Sequence, residues 1–262
     1  MAGIDLLSEI ASVPRLEILK LLSQKEQKAN QIAKALKSSI QATSRHLDRL
    51  VESKLIEKTN NGKYQVSTIG TVTLQQVPFF EFLERHKKYF QTHDFTGIPD
   101  HLISRIGELE GCRLEEDFMG SIQTAREFCI NAKKFLYSVT CTLPKEVFDI
   151  LLEKEKNFQW HNAYGTNTIV AKGFSNYPSR KKFLESFNSK QVEEKIIENI
   201  PIVAVVSENG CQLLFAGREL GQFDGKGGAF FGEDKKSIQW CKDLIDYYWE
   251  MPEIQNFTLR EQ

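Results

Sequence analysis

The sequence has few of the features that mark secreted, metal-binding or membrane-embedded proteins. Its 262 residues include only five cysteines, and none of them forms a Cys-x-x-Cys pair, which argues against a disulfide framework or a zinc ribbon. No stretch approaches the roughly 18 apolar residues that a membrane-spanning helix needs, and the N-terminus lacks a basic start followed by an apolar run. We therefore expect a globular, cytoplasmic protein with free thiols, no cofactor, no metal and no contact with a membrane.

A strong net charge is also missing, because 34 Lys and Arg nearly balance 35 Asp and Glu. The balance is uneven along the chain, however: residues 1–69 carry 11 Lys and Arg against 7 Asp and Glu, so that the remainder is acidic. A basic front and an acidic back indicate separate functions, and a basic front favours nucleic acid as its partner.

The first 69 residues predict three helices and a hairpin. A first helix begins near Pro14, a second lies within KANQIAKALK (28–37), and Ser38 and Ser39 supply N-cap oxygens for a third. The Asn-Gly pair at 61–62 then separates two short alternating segments, which is the strongest local signal for a β-hairpin. This order of elements predicts a winged helix-turn-helix domain over residues 1–69.

The third predicted helix has one apolar face and one polar face. Thr43, Leu47 and Leu50 share the inner face, and in a winged helix the outer face lies against the major groove of DNA. The residues that we predict to contact base edges or phosphates are Gln41, Ser44, Arg45 and His46. For His46, packing beside the first helix is the alternative, and for the whole domain it is protein contact instead of DNA binding.

The segment ATSRHLDRLVESKLIEK (42–58) resembles the S-R-H-L-x-x-L segment of ArsR-type winged-helix regulators, and the likeness covers about the first seventy residues. The resemblance implies that Gln41, Ser44 and Arg45 read DNA, and that Asn61 and Lys63 in the hairpin touch the DNA backbone or the minor groove.

Metal sensing, which is common among ArsR-type proteins, is not expected here. Such sensors carry cysteine or histidine ligands on or near these helices, but no cysteine precedes Cys112. His86 and His93 stand seven residues apart without a carboxylate pair at ligand spacing, so we predict that both are surface residues.

Residues 70–97 are assigned to a linker and dimerisation helix. Apolar residues recur at helical spacing from Thr68 to Phe90 with one interruption, at Pro78, which predicts a long kinked helix. Its aromatic content exceeds what a small winged helix needs to cover, and a dimer suits palindromic DNA sites. The residues expected to hold a homodimer together are Phe79, Phe82, Leu83 and Phe90. Simple packing onto the winged helix is the alternative.

The remaining residues, 98–262, predict an α/β sandwich with a mixed sheet, which makes the whole chain α+β. IPDHLISRIGEL and DFMGSIQTAREFCINA read as helices, and DKKSIQWCKDLIDYYWEM reads as a closing helix. The predicted strands are FLYSV, FQWHNAY, IPIVAVVS and CQLLFAG, with Glu-Asn-Gly as a hairpin turn between the last two.

Two stretches of this region resemble the C-terminal domain of the archaeal methanogenesis regulatory (filamentation regulator) family: IPDHLISRIGEL and FDGKGGAFFGEDKKSIQWCKDLIDYY. With the ArsR-like front, the likeness spans nearly the whole chain. It implies an archaeal transcriptional regulator whose rear domain senses an effector or mediates assembly.

Catalytic motifs are missing. Such regulators are distantly similar to phospholipase D-like domains, but the H-x-K-x4-D motif that begins at His86 has His93 where it needs an acid. The glycines of GQFDGKGGAFFG (221–232) fit no phosphate-binding loop and predict a tight turn with positive φ, and no G-x-S-x-G elbow occurs. We assign no catalytic residue, and a phosphodiesterase-type enzyme targeted to DNA is the alternative to a regulator.

A ligand pocket near the strand ends is predicted from FQWHNAY. Strict alternation places Phe158, Trp160 and Asn162 on one face and His161 on the other. If the polar face lines a cavity, His161 together with Arg218 and Asp224 would hold a small anionic or polar ligand. The alternative is a solvent-facing His161 and a turn-capping Asp224.

Overall fold

The computed structural model describes residues 3–186, 191–218 and 228–261. The chain divides into two compact units, Met1–Phe80 and Glu81–Gln262. The division falls inside the segment 70–97, for which the sequence predicted a separate linker.

The N-terminal unit is a winged helix-turn-helix. Its elements are α1 (Gly3–Ile10), α2 (Val13–Gln24), α3 (Ala29–Ala35), α4 (Ile40–Glu52), the hairpin strands β1 (Ile56–Lys58) and β2 (Tyr64–Val66), and the start of α5 (Thr68–Arg85). The three predicted helices and the hairpin are thereby confirmed. Their buried core consists of Ile18, Leu19, Leu22, Ile32, Leu47, Leu50, Leu55 and Ile56.

Local signals define both ends of α4. The hydroxyl oxygen of Ser39 accepts a hydrogen bond from the backbone N–H of Ala42 at 3.2 Å, which confirms the predicted N-cap. At the other end Lys54 adopts a positive φ of 62°, and the N–H of Leu55 bonds to the carbonyl of Leu50 at 2.9 Å. This closure resembles a Schellman motif and turns the chain directly into β1.

Helix α1 was not predicted, and a buried carboxylate ties it to the rest of the unit. Glu9 is only 4% exposed and receives Arg15 Nε at 2.7 Å and Arg49 Nη2 at 2.8 Å. Burial of a carboxylate is costly unless the charge is paired, so the guanidinium groups of Arg15 and Arg49 stabilise the buried Glu9. Arg49 of α4 therefore serves the protein itself.

The C-terminal unit contains the longer list of elements. In chain order they are β3 (His93–Asp94), α6 (Asp100–Ile103), β4 (Arg113–Glu115), α7 (Phe118–Asn131), β5 (Phe135–Leu143), α8 (Val147–Leu151), β6 (Gln159–Val170), α9 (Pro178–Ser186), β7 (Val192–Ile197), β8 (Val203–Ser207), β9 (Gly210–Leu214), β10 (Ala216–Gly217), β11 (Ala229–Gly232), α10 (Lys235–Trp249) and β12 (Arg260–Glu261). Two short 3₁₀ turns, Tyr89–Gln91 and Ile106–Leu109, complete it.

Eight of these strands form one mixed sheet. The order along it is β12-β6-β5-β8-β9-β11-β4, with β7 also paired to β6. β6 runs parallel to β5, β7 and β12, whereas the pairs from β5 to β4 are antiparallel. β8 and β9 form the predicted hairpin, in which Ser207 faces Gly210.

Helices cover the sheet on both faces. Leu136 and Trp160 belong to a core that includes Phe148 of α8 and Phe183 of α9. His161 points to the opposite face, where it stacks on Trp249 of α10. The predicted mixed-sheet sandwich is therefore confirmed.

The segment IPDHLISRIGEL forms two short pieces instead of the single helix that was predicted. α6 ends at Ile103 and the chain re-forms as a 3₁₀ turn from Ile106. Trp240 donates its indole N–H to the carbonyl of Leu102 at 3.0 Å, and Arg105 binds Asp243 at 2.7 Å. Contacts to α10, which are remote in sequence, thus replace the local hydrogen bonds that a continuous helix would make.

The prediction of surface histidines is wrong. His86 is 6% exposed and His93 is 5% exposed. The ring of His86 lies 4.8 Å from that of Phe82 and 4.9 Å from that of Phe230, and burial lowers the pKa of this imidazole. The ring of His93 stacks on Tyr89 at 3.9 Å. Both imidazoles are parts of an aromatic core.

The same core changes the assignment of the linker. Helix α5 ends at Arg85, so the helix predicted to reach Phe90 is shorter. Phe82 is fully buried, and Phe90 packs against Phe95 and Phe215. Two of the four residues expected to hold a dimer are therefore used inside the C-terminal unit.

The glycines of GQFDGKGGAFFG also have a different explanation where they are described. Residues 219–227 lie outside the described ranges, but Gly228 and Gly232 lie within them and neither has a positive φ. A Cβ at Gly228 would lie 2.1 Å from the carbonyl oxygen of Glu115, and one at Gly232 would lie 2.4 Å from Ser237 Oγ. Close approach of neighbouring atoms, and not a turn, requires these two glycines.

Candidate nucleic-acid interface and ligand cavity

The polar face of α4 carries exposed and half-buried side chains. Gln41 and Arg45 are exposed, and Ser44 and His46 are half-buried. Within the described residues Arg45 has no ion pair or hydrogen bond, whereas Arg49 one turn later is held by Glu9. The two arginines of one helix thus have different states: one is bound internally and the other is free to meet a ligand.

Ile40 extends this face at the start of α4 and was missed by sequence reasoning. Its helical spacing to Thr43 and Leu47 would predict burial, yet its side chain is 60% exposed. The first turn of the helix projects beyond the core, so the apolar side chain is left beside Gln41 and Ser44. An exposed apolar group next to hydrogen-bonding groups matches the features of thymine, which carries a methyl group and a carbonyl in the major groove.

The hairpin holds the two further residues predicted to contact DNA. Gly62 has a φ of 74°, and the oxygen of the Asn61 side chain accepts hydrogen bonds from the Thr59 hydroxyl and from the N–H of Lys63. The Asn61 amino group remains as a donor. Lys63 pairs with Glu26 at 2.5 Å, with both side chains partly exposed, so its ammonium group has a partner that a phosphate would have to replace.

A cavity of about 370 Å³ lies in the C-terminal unit between the sheet and the helices α7 and α8. Its walls are largely apolar and include Ile122, Leu136, Val147, Trp160, Val205 and Leu214. Arg126 and Glu146, one charge of each sign, are exposed members of the lining. Cavities of this size and composition are typical of small-molecule sites.

Polar groups line the sheet side of this cavity. Ser138 donates to the side-chain oxygen of Asn162, and the Thr140 hydroxyl donates to the carbonyl of Thr142. Gln212 differs from them: it is 9% exposed, and its side-chain amide has no hydrogen-bond partner among the described residues. Cys129 also lines the cavity, and burial raises the pKa of its thiol to about 11, so the thiol is neutral at pH 7.

The residues predicted to hold a ligand do not line this cavity. His161 lies on the other face of the sheet, between the rings of Tyr137 and Trp249. Arg218 is exposed and donates its backbone N–H to the carbonyl of Thr92 at 2.8 Å. Asp224 lies outside the described residues. The cavity lies on the face of the sheet to which Trp160 points, and α7 and α8 form its other wall. The alternation within β6 does not reveal which face these helices cover.

Two kinds of site are not found in the described ranges. No group of three or more His, Cys, Asp or Glu side chains is arranged to hold a metal ion there. Nor does any described helix combine the length and apolar character that crossing a bilayer requires.

The N-terminal helices match a known family of regulators. Residues 12–58, from α2 to β1, match the model of the bacterial regulatory protein, arsR family. The N-terminal unit therefore contains a DNA-binding helix-turn-helix of the ArsR family, which supports a DNA-binding regulator. A search of curated proteins found no match.

Solved structures add similarities at low scores. TrmBL2, an archaeal chromatin protein, is 11% identical with a TM-score of 0.40, over 93% of this chain and 94% of that one. Reduced HlyU from Vibrio cholerae N16961 is 26% identical with a TM-score of 0.27, over 32% of this chain and 86% of that one. The dimethyltransferase RosA from Streptomyces davawensis is 10% identical with a TM-score of 0.25, over 74% of this chain and 64% of that one. At these TM-scores the neighbours do not indicate what this chain does.

Proposed function

We propose that the protein is a cytoplasmic, sequence-specific transcription regulator that binds double-stranded DNA as a homodimer, and that its C-terminal unit senses a small ligand or a partner. One observation carries the DNA-binding part: Arg45 on the polar face of α4 is exposed and has no ion pair or hydrogen bond among the described residues, while Arg49 of the same helix is bound by Glu9. The arsR-family match over residues 12–58 supports it.

In this proposal α4 lies in the major groove with its N-terminal half toward the bases. Arg45 would donate two hydrogen bonds to a guanine, and Gln41 would bind an adenine edge. Ser44 and His46, which are half-buried, would contact a phosphate or a neighbouring base. The hairpin residues Asn61 and Lys63 would contact the DNA backbone or the minor groove, which fixes the register without reading sequence.

Ile40 is proposed to contact a thymine methyl group. Its side chain is 60% exposed and would bury apolar surface by covering a methyl group in the groove. The test replaces single thymines by uracil, which lacks the methyl, in a high-affinity site. We expect one replacement to weaken the wild-type protein and to leave Ile40→Ala unaffected. An equal response of both proteins at every thymine would exclude the contact.

The homodimer is proposed to use the exposed part of α5. Ile69, Val72 and Phe80 fall on one helical stripe and are 48%, 54% and 49% exposed. An apolar stripe of this kind is covered most simply by a second copy of itself. Light scattering is the test: Phe80→Glu is expected to yield a monomer near 30.1 kDa while the wild type has twice that mass. A monomeric wild type, with and without DNA, would contradict the dimer.

The DNA-binding proposal is tested with the two arginines of α4. Duplexes selected from a random pool supply a cognate site, and binding is measured by anisotropy at one moderate salt concentration. Arg45→Ala is expected to lose about 1–3 kcal/mol at the cognate site, which is roughly 5- to 150-fold in affinity. Its affinity for unrelated duplexes is expected to change much less.

Arg49→Ala is the matched control, because it removes the same charge from the same helix. It is expected to keep the ratio between cognate and unrelated duplexes, although it will lower stability by freeing Glu9. Equal binding of the wild type and Arg45→Ala to every duplex would overturn the proposal.

A further inference from the structure

The cavity between α7, α8 and the sheet contains a hydrogen-bonding group that nothing in the described chain satisfies. Gln212 is held in the middle of the sheet, where it pairs in register with Val205 on β8 and with Phe231 on β11. Its side chain lines the cavity and lacks a partner among the described residues. Gln212 is 9% exposed, so its amide meets the open space of the cavity, where water or a ligand can bind it.

The charged residues around the cavity indicate which charge a ligand can carry. Arg126 and Glu146 are both exposed and carry opposite signs, so the lining has no excess of either. Among the described residues, no other Asp, Glu, Lys, Arg or His lines the cavity. The thiol of Cys129 is kept neutral by burial. A charged group taken to the floor would lose its hydration and find no counter-charge there.

The volume limits the size of a ligand. About 370 Å³ corresponds to roughly a dozen groups of the size of a water molecule, at about 30 Å³ each. Apolar walls favour a ligand with an apolar body, and a single unsatisfied amide favours one polar group at the end of that body.

We infer that this cavity binds an uncharged, largely apolar molecule with one hydroxyl or carbonyl group that bonds to Gln212. Medium-chain alcohols represent the class. The inference rests on the sensing role proposed above for the C-terminal unit and gives the chemistry of the ligand.

The probes are three molecules of one chain length: 1-decanol, decanoate and decylamine. Binding to the full chain is followed by tryptophan fluorescence, to which Trp160 in the wall of the cavity contributes, and is repeated by calorimetry. We expect saturable binding of 1-decanol, with decanoate and decylamine at least about tenfold weaker because their charges must be desolvated.

Variants locate the binding in the cavity. Ala125→Phe on α7 and Val147→Phe on α8 each fill it from a half-buried position and are expected to abolish 1-decanol binding. Gln123→Phe is the matched control, since Gln123 is exposed on α7 and does not line the cavity. Gln212→Leu keeps the shape and removes the amide, so we expect about 2- to 10-fold weaker binding of 1-decanol. Thermal unfolding of each variant verifies that it is folded.

The outcomes separate this inference from the proposed function. Absence of 1-decanol binding, tighter binding of decanoate that Arg126→Gln removes, or binding that survives both filling variants overturns the inference. Binding that Ala125→Phe abolishes and Gln212→Leu weakens supports it. DNA affinity is then measured with and without 1-decanol: a change supports sensing, whereas no change leaves the cavity assignment supported and overturns the sensing role alone.

Discussion

The candidate site of the N-terminal unit lies on the surface of one helix, whereas that of the C-terminal unit is a cavity between several elements. In the N-terminal unit, Gln41, Ser44 and Arg45 lie on one turn of a helix and stay at the surface. In the C-terminal unit, residues of α7, α8 and four strands, between Ser121 and Leu214, line the cavity. A surface that reads a large, charged polymer has to keep polar groups in water until the partner arrives, whereas a site for a small molecule has to remove the molecule from water.

The two units also differ in the charge of an N-cap residue: the N-cap of α4 is neutral, whereas that of α10 is a carboxylate. Ser39 caps α4 with a neutral hydroxyl, and Asp234 caps α10 with a carboxylate that accepts from the N–H groups of Lys236 and Ser237. Burial alone would raise the pKa of Asp234, but the hydrogen bonds from Ser237 and Lys236 outweigh it and lower this pKa. The two units are therefore expected to respond differently to acid.

The largest expected effect separates the inner from the outer face of α4. Leu50 is fully buried, so Leu50→Ala is expected to cost about 2–5 kcal/mol and to abolish DNA binding by loosening the N-terminal unit. Hydrogen exchange is the measurement, and protection is expected to fall in residues 3–80 only. Arg45→Ala is the control, with lost DNA affinity and unchanged exchange. An equal loss of protection in both units would show that they do not unfold separately.

Glycines provide the next contrast, because one is needed for its φ and another for space. Gly232→Ala would place a Cβ 2.4 Å from Ser237 Oγ and 2.7 Å from Cys112 Sγ, and overpacking of this kind costs about 1–3 kcal/mol. Gly62 has a positive φ, and no atom of the described residues lies within 4 Å of its Cβ position, so Gly62→Asn is expected to cost less than about 1 kcal/mol, since Asn tolerates this region. Urea unfolding of both variants checks the order, and a reversed order would contradict the explanation.

The contribution of the Asp234 cap to stability is expected to depend on pH, unlike that of the Ser39 cap. Asp234→Ala is expected to lower stability by about 0.5–2 kcal/mol at pH 7. Because the folded pKa is lowered below the unfolded value of about 3.9, the ionised cap contributes above that pH, and its contribution is lost as the pH falls through the folded pKa. The difference from wild type is expected to be constant from pH 7 to about 5 and to shrink below about 4.

Tryptophan fluorescence in urea at several pH values makes this measurement, since all three tryptophans lie in the C-terminal unit. Ser39→Ala, followed by hydrogen exchange in the N-terminal unit, is the control and is expected to show a similar loss at every pH. A pH-independent loss for Asp234→Ala would show that the charge of this cap is irrelevant.

The smallest expected effect on stability is at Lys63. Its ion pair with Glu26 is partly exposed, so Lys63→Gln is expected to change stability by less than about 1 kcal/mol. If the ammonium group binds a phosphate, affinity falls for all duplexes alike, and the slope of log affinity against log salt falls by about 1. Glu26→Gln breaks the same pair but frees Lys63, so it is expected to keep or increase DNA affinity. Equal losses in both variants would assign Lys63 a purely structural role.

Predictions from the sequence succeeded where neighbours along the chain decide the structure. The cap at Ser39, the buried stripe of Leu47 and Leu50, and the Asn-Gly hairpin depend on residues only a few positions apart. The positive φ predicted for the glycines of residues 221–232 is not found at Gly232, because the close approach of Cys112 and Ser237 decides that position. The prediction of surface histidines failed for the same reason, since Phe230 stands 144 positions after His86 and closes the aromatic core over it.

The sequence by itself determined three helices and the hairpin of the N-terminal unit, the polar face of α4 and the alternation within β6, because hydrogen bonds and side-chain direction repeat with a short period. Only the tertiary structure decided that Glu9 binds Arg49 while Arg45 has no partner in the described part of the chain, that His161 points to α10, and that Gln212 lines a cavity without a described partner. The burial of a side chain and its hydrogen-bond or ion-pair partners depend on which distant elements pack together. The periodicity of the sequence carries no information about that packing.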